Sequence, residues 1–121
     1  VFGLRIDEGA ELAYYSSHGA IEREEKNLFL DQIDMALIMI HGADRNGDDY
    51  FCAAKAAAEL QNSCNQVLIL APQFYAEMDT RPSKSLLYWD NDRNGAWRYG
   101  ADAVGPVPVS SYTALGSVVI S

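Results

Sequence analysis

Two uninterrupted apolar runs stand out in the pattern of hydrophobic and polar positions along the chain. They are Ala36 to Ile40 and Val67 to Ala71. Strands that are covered on both faces of a parallel sheet have such continuous runs, whereas strands with one wet face alternate. We therefore predict two buried strands that lie side by side in a parallel sheet.

The alanine-rich segment between the two runs predicts a helix. Asp48 or Asp49 can cap its amino terminus, and the pattern ends near Asn62 and Ser63. Its apolar positions are Phe51, Ala54, Ala58 and Leu60. A strand, a helix and a second strand in this span form a βαβ unit.

The rest of the pattern is less regular. Aromatic residues predict a short early strand from Leu12 to Ser16. After Pro72 a long stretch without periodicity follows, and loops of this length within a compact domain are usually functional. Ser110 and Ser111 then cap a predicted final helix from Tyr112 to Ile120.

The length and net charge of the chain limit the classes of function that it can have. A chain of 121 residues accommodates one domain and one modest core, so residues 1–121 are predicted to form a single domain. A formal net charge of -8, with its few basic residues scattered, disfavours nucleic acid as a partner. No apolar stretch is long enough to predict a membrane span.

The sequence predicts neither a disulfide framework nor a metal site. Cys52 and Cys64, placed along one helix, lie roughly 18 Å apart, which is beyond disulfide reach, so we predict two free buried thiols. The segment from Asp90 to Gly95 begins like a calcium loop, but Ala101 stands at the twelfth position, where that loop needs glutamate. We expect an Asx-rich turn there instead.

His41, Gly42 and Ala43 follow the first apolar run directly. At such a strand-to-loop junction, backbone N–H groups can point at developing negative charge and form an oxyanion hole. Gly42 would allow the tight turn and His41 would brace the loop, although a His-Gly pair is also compatible with a plain turn. Arg45 and Asn46 either form an ordinary surface turn or tie the loop to the aromatic segment.

A nucleophile to accompany this junction is missing. No Gly-x-Ser-x-Gly occurs in the chain, so we predict no catalytic residue within it. His18 lies in a polar stretch with no apolar strand ahead of it, and we expect it to be exposed and without a catalytic role.

Three blocks in order carry a family resemblance: ALIMIHGADRNGDDYF at Ala36 to Phe51, VLILAPQF at Val67 to Phe74, and LLYWDNDRNGAWRYGADA at Leu86 to Ala103. Together they resemble the amino-terminal half of secreted-type α/β-hydrolase-fold proteins of fungi and bacteria. Tyr14-Tyr15-Ser16 and Ser110-Ser111-Tyr112 are similar to flanking segments of that family.

The resemblance implies a partial α/β-hydrolase-like sheet. It has an antiparallel start, then parallel strands joined by a βαβ crossover, and it is incomplete at its carboxyl end. Ala36 to Ile40 would be the third strand and Val67 to Ala71 the fourth. The elbow serine, the acid and the histidine would follow Ser121, so residues 1–121 would form one truncated domain that is inactive alone.

The parent would then be a serine hydrolase that acts on a small ester or acyl substrate, without a cofactor, and secretion is compatible with the resemblance. The implied roles are an oxyanion hole at Gly42 and Ala43, loop support from His41, Arg45 and Asn46, and a substrate cleft at Trp89 and Trp97. The open edge of the third strand would need the missing half or a partner chain to cover it.

Two alternatives stay open beside this hypothesis. The chain could be a non-catalytic binding module that uses the hydrolase scaffold and its aromatic loop for recognition. A free-standing α/β binding domain is the third hypothesis, which the lack of a glycine-rich phosphate loop disfavours.

Overall fold

The structure is a computed structural model that describes residues 1–19, 33, 35–61, 66–91 and 96–120. A short 3-10 helix, Trp97–Tyr99, precedes the last helix. The other elements within these ranges are, in chain order, β1 (Phe2–Asp7), β2 (Ala10–Ser16), β3 (Met35–Ile38), α1 (Gly47–Leu60), β4 (Val67–Gln73), β5 (Tyr75–Ala76), β6 (Tyr88–Trp89) and α2 (Ser111–Ile120).

Four strands form one mixed sheet in the order β1-β2-β4-β3. β3 and β4 are parallel, with Met35 opposite Val67. A turn at Glu8 and Gly9 joins β1 to β2, and so short a connection permits only antiparallel neighbours. The sheet with its two helices confirms the predicted α/β class, and β3-α1-β4 is the predicted βαβ unit.

Both apolar runs are strands, with shifted ends. β3 begins at Met35 and ends at Ile38, and β4 continues to Gln73. The predicted caps of α1 are wrong, because the helix begins at Gly47 and places Asp48 and Asp49 inside its first turn. Carboxylates in that position still stabilise the positive end of the helix dipole.

The amino end of α1 therefore follows Asn46, whose side chain makes no capping hydrogen bond to the backbone. At the other end the last helical residue is Leu60. The predicted end near Asn62 and Ser63 lies outside the described residues.

Outside the βαβ unit the sequence pattern was less informative. β1 was not predicted, and the early strand begins at Ala10 instead of Leu12. The stretch after Pro72 contains β5 and β6, which are two residues each and too short to leave a periodic pattern. In contrast, the final helix is confirmed, and Ser110 Oγ accepts the Tyr112 N–H at 3.2 Å as its cap.

The chain divides into two compact units. The first comprises Val1–Phe2 and Tyr14–Gln73, and the second comprises Gly3–Ala13 and Phe74–Ser121. The first contains β3, α1 and β4, together with the loop after β3. Within the part of the chain that is described, neither unit contains a helix long and apolar enough to cross a membrane.

Aromatic rings fill the core of the second unit. The Phe74 ring stacks on the Trp97 ring, with 4.9 Å between the ring centroids. It packs edge-to-face with the Trp89 ring, with 5.3 Å between the centroids. Offset and edge-to-face pairs of this kind stabilise a fold beyond the area that they bury. The aromatic residues that the sequence concentrates after Pro72 thus pack against one another.

Candidate functional site

The loop from His41 to Asn46 joins β3 to α1 at the carboxyl end of β3. β4 runs parallel to β3 and ends at Gln73, so its last residue reaches the same edge of the sheet. Ligands of open α/β sheets bind at this edge. The candidate site therefore comprises this loop and the end of β4.

His41 is buried, with 2% of its surface exposed. Its Nδ1 lies 2.9 Å from the carbonyl oxygen of Gly42. Because a carbonyl only accepts hydrogen bonds, Nδ1 must carry the proton and donate it. The same oxygen accepts the N–H of Arg45 at 3.0 Å, which closes a four-residue turn. His41 thus makes the contact expected of a residue that braces the loop.

Gly42 and Ala43 are exposed at the first two positions of this turn. Among the described residues, no protein acceptor binds the backbone N–H of either one. The two residues follow the carboxyl end of β3, so their N–H groups lie in the loop at that edge of the sheet. Backbone donors that the fold holds in place can stabilise an oxyanion.

The expected role of Gly42 in shaping the turn has no support in its backbone. Among the described non-glycine residues, the positive φ belongs to Arg45, at 55°, and Gly42 does not have one. A Cβ added to Gly42 would meet only the Tyr50 hydroxyl, at an ordinary 3.7 Å. The left-handed backbone therefore belongs to Arg45, the last residue of the turn, in a conformation that L-residues adopt at a cost.

Arg45 and Asn46 tie the loop to itself and to α1. The Arg45 guanidinium donates from Nη1 to the carbonyl of Ala43 at 2.7 Å. Asn46 Nδ2 donates to a carboxylate oxygen of Asp49 at 3.2 Å. Both contacts join residues two or three positions apart, within the loop and the first turn of α1, and the loop support expected of Arg45 and Asn46 stays a prediction.

Gln73 and Gly47 complete the site, and neither was predicted from the sequence. Gln73 is 4% exposed, and its amide accepts the Gly47 N–H at 3.0 Å and donates to the Arg45 carbonyl at 2.7 Å. A Cβ on Gly47 would overlap Gln73 Oε1. The sequence did contain a signal for Gln73. It is a polar residue at the end of an apolar predicted strand, and that strand is predicted to lie beside the one that precedes His41.

The surroundings of the loop are acidic. Asp44, Asp48 and Asp49 are exposed in the loop and in the first turn of α1. Burial raises the pKa of Tyr15, and the charges of Asp48 and Cys52 raise it further, so its hydroxyl stays protonated at neutral pH. Such surroundings oppose a substrate that arrives as an anion and favour a neutral one that gains charge only during reaction.

The two tryptophans assigned to a cleft differ in position. Trp89 has 0% of its surface exposed, and its Nε1 donates to the Ala101 carbonyl at 2.9 Å. A ring that is enclosed in this way packs the core and has no surface with which to line a cleft. Trp97 is half-buried and keeps part of its surface exposed.

Ser17 and His18 form the serine-histidine contact of the first unit. Ser17 Oγ lies 2.7 Å from His18 Nδ1, and His18 is half-buried, not exposed as predicted. The same hydroxyl accepts the Ile69 N–H at 2.9 Å. That bond continues the backbone pairing between the end of β2 and β4, and it gives Ser17 a structural role.

Only one of the two cysteines lies within the described residues. Cys52 is a free thiol, but it is exposed, not buried as predicted. Cys64 and most of the Asx-rich turn, from Asp92 to Gly95, lie outside the described residues. The described ranges contain no group of three or more His, Cys, Asp or Glu side chains that could hold a metal ion.

An apolar hollow of about 500 Å³ lies between α1 and the face of β3 and β4. Met35, Leu37 and Met39 line one side, and alanines of α1 line the other. Gln61 supplies the polar side chain of its lining. None of the described residues that line the hollow carries a nucleophilic or titratable group, so these side chains offer hydrophobic contact.

Comparison of the chain with models of protein families, with characterised proteins and with solved structures gives no match.

Proposed function

We propose that this chain is the amino-terminal part of an α/β-hydrolase-fold protein that hydrolyses a small ester or related acyl substrate. The observation that carries the proposal is the pair of backbone N–H groups of Gly42 and Ala43, which are exposed residues in the loop after β3 and whose N–H groups have no protein acceptor among the described residues. Buried His41 and Gln73 hold the loop that bears them. The strand order β1-β2-β4-β3 also supports it, because the resemblance implies a third strand beside the fourth after an antiparallel start.

In this proposal the N–H groups of Gly42 and Ala43 stabilise the oxygen of a tetrahedral intermediate. A serine hydroxyl that follows Ser121 attacks the carbonyl carbon, and a histidine takes the proton and returns it to the departing alcohol. Water then releases the acid and regenerates the serine. In the same proposal His41, Arg45 and Asn46 support the loop.

Among the described strands β3 lies at the edge of the sheet, and the proposal requires a cover for this edge. An exposed apolar edge strand promotes aggregation unless another strand or chain pairs with it. We propose that a further strand of the same protein, or a partner chain, occupies this edge.

Two observations on a longer protein that contains this chain test the proposal: the presence of an elbow serine and the effect of one substitution on ester hydrolysis. A longer protein that contains this chain should carry an elbow serine in its next strand and hydrolyse p-nitrophenyl esters. Ala43→Pro removes the N–H donor at the second position of the turn, where proline fits sterically. We expect kcat to fall by about 10²–10³-fold, with KM little changed.

Ala43→Ser is the matched control, because it keeps the N–H and should keep kcat. Equal kcat for Ala43→Pro and the unsubstituted enzyme would refute the oxyanion hole. Absence of an elbow serine would refute the enzymatic function and would leave the non-catalytic binding module as the better hypothesis.

A further inference from the structure

We infer that Gln73 is a positioning residue whose side-chain amide holds the loop from His41 to Gly47 in one conformation. In doing so it sets the direction of the Gly42 and Ala43 N–H groups. The inference rests on the proposed function and deepens it, because it names the residue on which the geometry of the oxyanion hole depends.

The first support is the pair of backbone groups that Gln73 satisfies. Gly47 begins α1, and the first N–H groups of a helix have no partner within it. Gln73 Oε1 accepts that N–H, and Gln73 Nε2 donates to the carbonyl of Arg45. An uncharged amide is suited to this position because it offers an acceptor and a donor side by side.

The second support is the backbone of Arg45. An L-residue with φ near +55° persists where its surroundings over-determine it. Its N–H is bound to Gly42 and its carbonyl to Gln73, so both of its peptide groups are held. Release of the carbonyl would free Arg45 to leave this conformation and would open the turn that carries Ala43.

The third support is the packing around Gly47. A Cβ at this position would overlap Gln73 Oε1 and would lie 3.5 Å from Cδ2 of His41. Because glycine has no Cβ, position 47 leaves space for the side-chain amide of Gln73 to reach the loop. Gln73 lies 28 positions from Arg45 and 26 from Gly47 along the chain, so the end of β4 controls a loop that belongs to β3.

The experiment measures amide hydrogen exchange and amide chemical shifts by NMR in the full 121-residue chain. Gln73→Met retains the volume of the side chain and removes both hydrogen bonds. We expect the protection of the Gly47 and Arg45 amides to fall by about tenfold, the equivalent of one lost hydrogen bond. The Gly42 and Ala43 resonances should shift or broaden at the same time.

Two further variants separate positioning from general destabilisation. Gly47→Ala displaces the amide from the opposite side and should reproduce the pattern, although alanine otherwise favours a helix more than glycine does. Gln61→Met makes the same chemical change at an exposed position and should leave all four amides unchanged. The amide of Leu70 in β4 should keep its protection in every variant.

Unchanged protection at Gly47 and Arg45 in both Gln73→Met and Gly47→Ala would overturn the inference, as would an equal loss of protection throughout β4. Failure of the proposed function would look different. In that case the longer protein would not hydrolyse esters, while the local exchange pattern would still follow Gln73.

Discussion

At the residue scale, replacement of glycine by alanine should have opposite effects on stability at Gly100 and at Gly116. Gly100 has φ of 77°, and a Cβ there would lie 2.5 Å from the Tyr112 ring, whose hydroxyl donates to the Arg98 carbonyl. Gly116 lies in the interior of α2, and a Cβ there would have nothing within 4 Å. The first position requires glycine, and the second does not.

We predict that Gly100→Ala lowers the free energy of unfolding by roughly 1–2 kcal/mol from the backbone alone, with the overlap adding to this loss. Gly116→Ala should raise it by about 0.5–1 kcal/mol, because alanine loses less conformational entropy in a helix. Urea unfolding of the two variants beside the unsubstituted chain measures both changes. A stabilised Gly100→Ala chain would contradict the left-handed backbone at that position.

At the element scale, α2 depends on its first residue and on the loop before it. Ser110 Oγ accepts the N–H of Tyr112 and donates to the Gly100 carbonyl at 2.8 Å. The Ser111 hydroxyl, which is buried, donates to the Trp97 carbonyl. The amino end of this helix is therefore bound to the segment that carries the aromatic core of the second unit.

We predict that Ser110→Ala lowers the free energy of unfolding by about 1 kcal/mol, which is the usual cost of removing an N-cap side chain. Thr113→Ala is the matched control, since Thr113 is exposed within the same helix and alanine is the better helix former. The measurement is urea unfolding followed by circular dichroism. Equal losses in the two variants would show that Ser110 does not cap α2.

At the scale of the whole molecule, the chain contains the loop that we propose stabilises an oxyanion, and its sequence has no serine in a Gly-x-Ser-x-Gly motif. Ser17 is the serine whose hydroxyl contacts a histidine, and that hydroxyl is bound to the Ile69 amide. A nucleophile also needs an oriented base and oxyanion donors beside the reacting carbon. Ser17 follows β2, whereas the candidate donors lie in the loop after β3.

We predict that the purified 121-residue chain is not labelled by a fluorophosphonate probe and does not hydrolyse p-nitrophenyl esters above the rate of buffer. An active serine esterase treated in parallel is the positive control for the probe. Labelling that disappears in Ser17→Ala would contradict this prediction and would identify Ser17 as a nucleophile.

Local chemistry explains which parts of the fold were predictable. β3 and β4 were visible because a strand that is covered on both faces must be apolar throughout, and α1 because alanine favours a helix wherever it lies. β5 and β6 were not visible, since each is a pair of residues aligned by neighbours distant in the sequence. The hydrogen bond of His41 is also local, because its partner, the Gly42 carbonyl, belongs to the next residue in the chain.

By itself, the sequence determined the α/β class, the βαβ unit, the capped final helix and the position of the His-Gly loop, because each depends on residues near one another in the chain. Only the tertiary structure decided that Gln73 reaches Arg45 and Gly47, that Arg45 is the left-handed residue, and that Trp89 lies in the core. Those contacts join residues far apart in sequence. Side-chain identity alone does not specify such partners, since hydrogen bonding and burial depend on which segments packing brings together.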